Sequence, residues 1–273
     1  MTEWQHIPEH LNPIVFTVGF FSVRFYALCW VVGFLSALSF FLWQTKKKQY
    51  FGDSGEQYDF FLELFFGALV GGRLGFVVLY HPEMLQSPWL ILWPYDALGQ
   101  WVGIGGMSFH GGLVGVIVVL VLQSRKMKDF FWQRADDIAL SAPIALFFGR
   151  VGNFFNGELV GRVTTEPWGM YFGQSQELRH PSTLYEAFGE GIFLFIFLLV
   201  MKRFVLFPGS VSALFLIAYG GIRFILEYFR EPEGGMLVFG TWTLGQVYSL
   251  PLIVVGSVLM LWFWEKNRAT LKV

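Results

Sequence analysis

The chain has 273 residues, 55 % of them hydrophobic and only 14 % charged, with a formal net charge of −1 and a mean hydropathy of +0.53. So few charges cannot cover the surface of a soluble domain of this length, and the near-neutral balance excludes a strongly basic nucleic-acid binder. The single cysteine, Cys29, excludes an intrachain disulfide and a cysteine-rich metal site.

Apolar runs of about 18 or more residues, enough to span a ~30 Å hydrocarbon core, recur along the whole chain. The N-terminal stretch, 1–13, is polar without a basic n-region, so the first apolar run is expected to be a retained helix and not a cleaved signal. In chain order the runs predict about seven transmembrane helices, at 20–43, 58–80, 103–123, 137–155, 184–201, 210–229 and 244–264. The fold class is thus an all-α integral membrane protein, read as a single polytopic domain over 1–273.

The loops after spans one, three, five and seven carry Lys46, Lys47, Lys48, Arg125, Lys126, Lys128, Arg134, Lys202, Arg203, Lys266, Arg268 and Lys272; the opposite loops carry only Arg162, Arg179 and Arg230. By the positive-inside rule the N-terminus is outside and the C-terminus cytoplasmic. The outer loops 82–102, 156–183 and 230–243, with Trp89, Pro94, Pro167, Trp168, Gly234 and Gly235, predict a short structured outer cap.

Four arginines remain, Arg24, Arg73, Arg150 and Arg223, all inside predicted spans. A mid-membrane arginine costs at least ~2.5–3.5 kcal/mol and therefore faces protein, water or a bound anion. With a rise of 1.5 Å per residue, Arg73, Arg150, Arg223, Tyr26 and His110 all fall roughly 9–12 Å below the outer boundary. Arg24 lies near that boundary and reads as an interfacial anchor. Tyr219, Arg223 and Glu227 are spaced i, i+4, i+8 and share one helix face. Arg150, Asn153 and Asn156 follow at i, i+3, i+6, with Glu158 just beyond. The glycines after His110 would admit a helix or a substrate close to the backbone. Glycines in the echo Gly72-Arg73-Leu74-Gly75 and Gly149-Arg150-Val151-Gly152 suit close helix packing. His6, His10, His81 and His180 show no metal-ligand spacing. Cations, an imidazole, amides and tyrosines in one layer describe a site for an anionic lipid headgroup.

The segment Gly149-Arg150-Val151-Gly152-Asn153-Phe154-Phe155-Asn156-Gly157-Glu158-Leu159-Val160-Gly161 resembles the signature of the phosphatidylglycerol–prolipoprotein diacylglyceryl transferases. So do Met107–Gly115 around His110, Arg179–Glu186, and Tyr219–Arg230. The resemblance implies transfer of diacylglyceryl from phosphatidylglycerol to the lipobox cysteine of prolipoprotein signal peptides, forming a thioether and releasing glycerol 1-phosphate. It needs no cofactor and no metal, and it implies the bacterial cytoplasmic (inner) membrane with the active site toward the outer leaflet. It makes His110, Arg150, Arg223 and Glu227 catalytic. Tyr26, Arg73, Arg150, Asn153, Asn156, Gly157, Glu158, Tyr219 and Arg223 would bind the lipid. Glu233 stands where the family pattern has aspartate. Two rival readings were weighed. A transporter or flippase of anionic lipids would favour inverted repeats and midplane sites. A membrane serine protease using Ser108 lacks a nucleophile elbow.

Overall fold

The computed structural model describes residues 3–19, 21–48, 51, 54–93, 106–126, 130–173, 175–204, 207–232, 237–238 and 240–268. Helices dominate: α1 (Phe25–Thr45), α2 (Ser54–Tyr80), α3 (Phe109–Lys126), α4 (Phe131–Asn156), α5 (Ser182–Glu186), α6 (Leu194–Met201), α7 (Ser210–Leu226) and α8 (Leu244–Arg268). Between α5 and α6 the helix continues without a break through a widened π-helical turn, Ala187–Phe193. Among the described residues five helices are long and apolar enough to cross a membrane: Phe25–Thr45, Gly55–Tyr80, Phe131–Asn156, Ser182–Met201 and Leu244–Arg268. Two further apolar helices, Gly111–Gln123 and Ser210–Leu226, are shorter. The chain is therefore a helical membrane protein.

Two short sheets interrupt the helices. Strands β1 (Ile14–Val18) and β2 (Phe21–Arg24) pair with each other. Strands β3 (Leu237–Val238) and β4 (Trp242–Thr243) run antiparallel, Leu237 opposite Thr243. The first sheet corrects one expectation. Arg24 ends β2 and is exposed, and α1 begins only at Phe25. The β-branched and aromatic residues before Phe25 favour a strand, so Arg24 is no intrahelical arginine.

The chain forms two compact units: Met1–Val18, Ser22–Phe41 and Ala135–Val273 make the first; Gly19–Phe21 and Leu42–Arg134 make the second. In the first unit α7 and α8 pack against each other, with Gly220 set against Ser249 and Ile253, and Gly256 against Ala213 and Ile217. Helix α8 opens with a reciprocal cap: the Thr243 N–H donates to Gln246 Oε1 (3.1 Å) and the Gln246 N–H donates to Thr243 Oγ1 (3.2 Å). Helix α7 is started from outside. Asp136 accepts the N–H groups of Gly209 (2.7 Å) and Ser212 (2.8 Å) and the Ser212 hydroxyl, filling donors that a helix start leaves unpaired.

In the second unit α2 and α3 cross backbone to backbone. Gly67, Gly71 and Gly75 face Gly111 and Gly115, and a Cβ on Gly115 would overlap the Gly67 carbonyl. The glycines after His110 thus admit a helix, in the small-xxx-small manner of membrane packing. Arg134, expected in a cytoplasmic loop, lies within α4 and is buried. It pairs with Glu56 at 3.1 Å and lies over the rings of Phe51 and Phe60.

Candidate active site

The site grows from the C-terminal half of α4. Its Gly149 and Gly152 let α1 come close: a Cβ on Gly152 would stand 3.0 Å from Tyr26 Cδ2 and 3.2 Å from Cys29. Gly72 and Gly75 do the same for α2 and α3, so packing accounts for the glycine echo. On α4, Phe147 lies against Gly191 of the π-helical turn, where a Cβ would come within 2.5 Å of the ring-bearing Cβ. Gly189 of the same turn receives Ile222 and Leu226 of α7, each 2.9 Å from a notional Cβ. The widened turn is wedged between α4 and α7; Glu190 on it and Glu186, the last residue of α5, meet the arginines of both.

Three guanidinium groups there meet three carboxylates. Arg150 donates Nε–H to Glu190 (2.9 Å) and sets Nη1 at 2.9 Å from Glu186. Arg223 donates Nη1–H to Glu186 and, at 3.4 Å, to Glu190, while its Nη2 lies 2.8 Å from Glu227. Arg230, just past α7, reaches Glu186 at 3.5 Å. Glu186 and Glu190 are fully buried (0 %). The side chains of Arg150 and Arg223 keep 16 % and 13 % exposure. Buried charges persist only when paired and hydrogen-bonded in this way. Glu227, at the end of α7, is held at close quarters by α8. A Cβ on Gly245 would stand 2.5 Å from its Cδ and 2.6 and 2.7 Å from its oxygens. Tyr219, buried and stacked on Phe215 at 5.6 Å, shares the electrostatic neighbourhood of Arg150, Arg223, Glu186 and Glu190.

Beyond α4 the chain turns sharply. Gly157 (φ 66°) supplies the left-handed conformation that lets it, and Leu159 also takes positive φ (56°), so Glu158 is presented between two such residues. Asn153 and Asn156 both donate to Glu158 Oε1, at 2.8 and 3.4 Å. Asn156 Oδ1 is buried without a hydrogen-bond partner among the described residues. Tyr26 is half-buried against Gly152 and edge-on to Trp30.

The segment that follows is knitted by backbone bonds. Gly161 donates to His180 O (3.0 Å), Arg162 to Phe229 O (2.9 Å), and Met170 and Arg179 exchange bonds at 2.9 Å. The loop arginines hold this segment together. Arg162 Nε binds the Arg230 carbonyl (3.0 Å) and Arg179 Nη1 binds the Gly161 carbonyl (3.0 Å). Trp168 Nε1–H donates to the Tyr185 hydroxyl (2.8 Å), which lies 3.2 Å from His180 Nδ1. Tryptophan only donates, so the Tyr185 oxygen accepts there, and the direction of its bond with His180 follows the imidazole tautomer. Burial pushes the His180 pKa below its ordinary value, against the opposing charge of Glu166.

Arg73 and His110 belong to the second unit. Arg73 donates Nε–H to Ile91 O (2.6 Å), Nη1–H to Gly106 O (3.3 Å) and Nη2–H to Leu90 O (3.4 Å). These bonds tie Leu90, Ile91 and Gly106 to α2. His110 is the second residue of α3; its side chain lies outside the described residues, as do Pro94, Glu233, Gly234 and Gly235. Ser108 Oγ accepts the Gly111 N–H (3.3 Å), and the Ser108 N–H donates to Gly72 O (2.9 Å). Those bonds give Ser108 a capping part and leave the protease reading without support.

A family model described as prolipoprotein diacylglyceryl transferase matches residues 13–262. The chain belongs to this family. Among curated relatives named phosphatidylglycerol–prolipoprotein diacylglyceryl transferase, one from Photobacterium profundum is 41 % identical over 95 % of this chain and 96 % of its own length. One from Chlorobaculum tepidum is 39 % identical over 98 % and 94 %. A third, from Campylobacter curvus, is 38 % identical over 98 % and 99 %. For a chain of this transferase family, sequence reasoning found both arginines and missed the carboxylates that hold them. Glu186 and Glu190 stand four apart in a span of otherwise mostly apolar residues. That spacing was itself a signal, because a membrane-buried carboxylate demands a cation just as an arginine demands an anion.

Proposed function

We propose that the chain performs the reaction for which its relatives are named, transferring diacylglyceryl from phosphatidylglycerol to a prolipoprotein. The acceptor is the lipobox cysteine thiol of the signal peptide, and glycerol 1-phosphate leaves. The single observation that carries this reading is the Arg150–Arg223 pair. Both guanidiniums are fixed by shared carboxylates, 2.9 Å from Arg150 to each of Glu186 and Glu190. Planar, permanently charged donors held in one orientation suit a phosphate whose charge grows as a C–O bond breaks.

The thiol sulfur attacks the sp³ glyceryl carbon, and the electron pair of the breaking bond stays on the phosphate oxygen. Arg150 and Arg223 face that oxygen's developing charge. Glu227 orients Arg223 through the 2.8 Å contact. Asn153 fixes Glu158, whose second oxygen serves as a hydrogen-bond acceptor for glycerol hydroxyls. Tyr26, Asn156, Gly157 and Tyr219 complete the lipid-binding wall. His110, by residue type and family likeness, takes the thiol proton, whose unperturbed pKa is near 8.5. Arg73, with its donors on loop carbonyls, holds the outer loop.

The positive-inside count and the seven apolar runs support a single membrane domain in the bacterial inner membrane, N-terminus outside, with the site toward the outer leaflet. A lipid transporter would need no thiol acceptor. The test is purified protein in phosphatidylglycerol vesicles with a lipobox peptide. Mass spectrometry should show a diacylglyceryl thioether on the cysteine, lost in Arg150→Ala and Arg223→Ala proteins that still fold. Lipid movement without peptide modification would overturn the reading.

A further inference from the structure

We infer that Glu186 and Glu190 blunt the site's preference for doubly charged phosphate, so that the monoester product is held little more tightly than the diester substrate. This rests on the transferase reading above. A pocket shaped only to bind anions would leave its cations in excess. Here Arg150 on α4, Arg223 on α7 and Arg230 beyond it are matched by Glu186 and Glu190 on the widened helix and Glu227 on α7. Tyr219 adds a neutral hydroxyl to the same neighbourhood. Glu186 and Glu190 are the deepest of the carboxylates, at 0 % exposure, and each contacts both Arg150 and Arg223.

The chemistry supplies the change in charge. The phosphodiester carries one negative charge. When the S–C bond forms and the C–O bond breaks, the electron pair makes a second charge on phosphate and the thiol proton leaves to the base. A phosphate monoester keeps that second charge above pH ~6. The arginines attract a dianion more strongly than a monoanion, and two buried carboxylates within a few ångströms of those arginines offset that gain. At the effective dielectric of partly buried sites, one extra unit charge at such range changes affinity by roughly tenfold or more. The same arginines that stabilise the bond-breaking state are thus kept from trapping its product. The widened turn contributes geometry, since Gly189 and Gly191 let it sit between α4 and α7 with both carboxylates on the arginine side.

The test measures binding of glycerol 1-phosphate to the detergent-solubilised full chain by titration calorimetry between pH 5.5 and 7.5. Dimethyl phosphate, a monoanion throughout, serves as the reference for titrations of the protein itself. The expected result is that glycerol 1-phosphate gains well under tenfold relative to dimethyl phosphate as pH rises through ~6. Glu190→Gln, which keeps an acceptor for Arg150, should make the monoester strengthen by roughly tenfold over the same range. In the vesicle assay it should lower KM and kcat together, with stronger inhibition by glycerol 1-phosphate. A carboxylate that merely holds Arg150 would instead raise KM and weaken both phosphates alike, which overturns the inference. So does wild-type binding of the monoester that strengthens by roughly tenfold or more with pH. The wild-type series decides the matter even if Glu190→Gln fails to fold. Because binding is read without turnover, absence of transfer to the peptide would count against the transferase reading alone.

Discussion

Gly245→Ala isolates the position of one carboxylate without altering its chemistry. The new Cβ would stand 2.5 Å from Glu227 Cδ, whereas ordinary contact begins at 3.4 Å. The obstructing group is the free end of a side chain, so the carboxylate yields by about 0.9 Å while the backbone stays in place. Moved that far, Glu227 loses its 2.8 Å contact with Arg223, because hydrogen bonds fade beyond about 3.5 Å. A charge-assisted bond contributes ~1.5–3 kcal/mol, so kcat/KM should fall by about ten- to a hundredfold if that contact aims Arg223 at the phosphate. Stability should fall by less than the lost bond alone would cost, since alanine in a helix is favoured over glycine by up to ~1 kcal/mol. The control is Gly221→Ala, where a Cβ meets nothing within 4 Å. The assay is thioether formation in phosphatidylglycerol vesicles, with Tm read by scanning fluorimetry. Wild-type kcat/KM in Gly245→Ala beside a strong loss in Glu227→Gln would refute the reasoning, because the charge would then matter and its aim would not.

Three further outcomes follow from the packing and the cap. Gly115→Ala should lower Tm sharply, because its Cβ collides with the rigid Gly67 carbonyl, whereas Gly112→Ala, 3.3 Å from the Ala68 carbonyl, should cost little; equal Tm values would contradict the close crossing of α2 and α3. Thr243→Val and Gln246→Leu should each cost about 0.5–2 kcal/mol by opening the cap of α8, and the double variant should cost less than the sum in chemical denaturation. For His180, a folded pKa below its ordinary value means the unfolded chain binds more protons. Stability therefore falls as pH drops through the ordinary value near 6.5, and His180→Gln should flatten the Tm-against-pH curve there.

The helices and the need of Arg150 and Arg223 for partners were legible because both follow from solvation. Apolar runs announce spans, and arginines within them announce partners, which is why Arg150, Arg223 and Glu227 emerge from spacing alone. What stayed hidden depends on partners distant in sequence. Glu190 lies 40 residues from Arg150 and 33 from Arg223, and the widened turn that delivers it has no periodic signature. Arg24 was misplaced because hydropathy does not separate an apolar strand from a helix start. Arg73 donates to main-chain carbonyls, partners that a sequence does not display. The glycines after His110 were open to two uses until the facing glycines of α2 settled one of them.

The central claim, that Arg150 and Arg223 together hold the phosphate of the lipid, is tested most directly by a structure with phosphatidylglycerol bound. The account predicts phosphate oxygens within hydrogen-bond distance of both guanidiniums, with Glu186 and Glu190 still holding their opposite edges. A phosphate that touches neither arginine would contradict it.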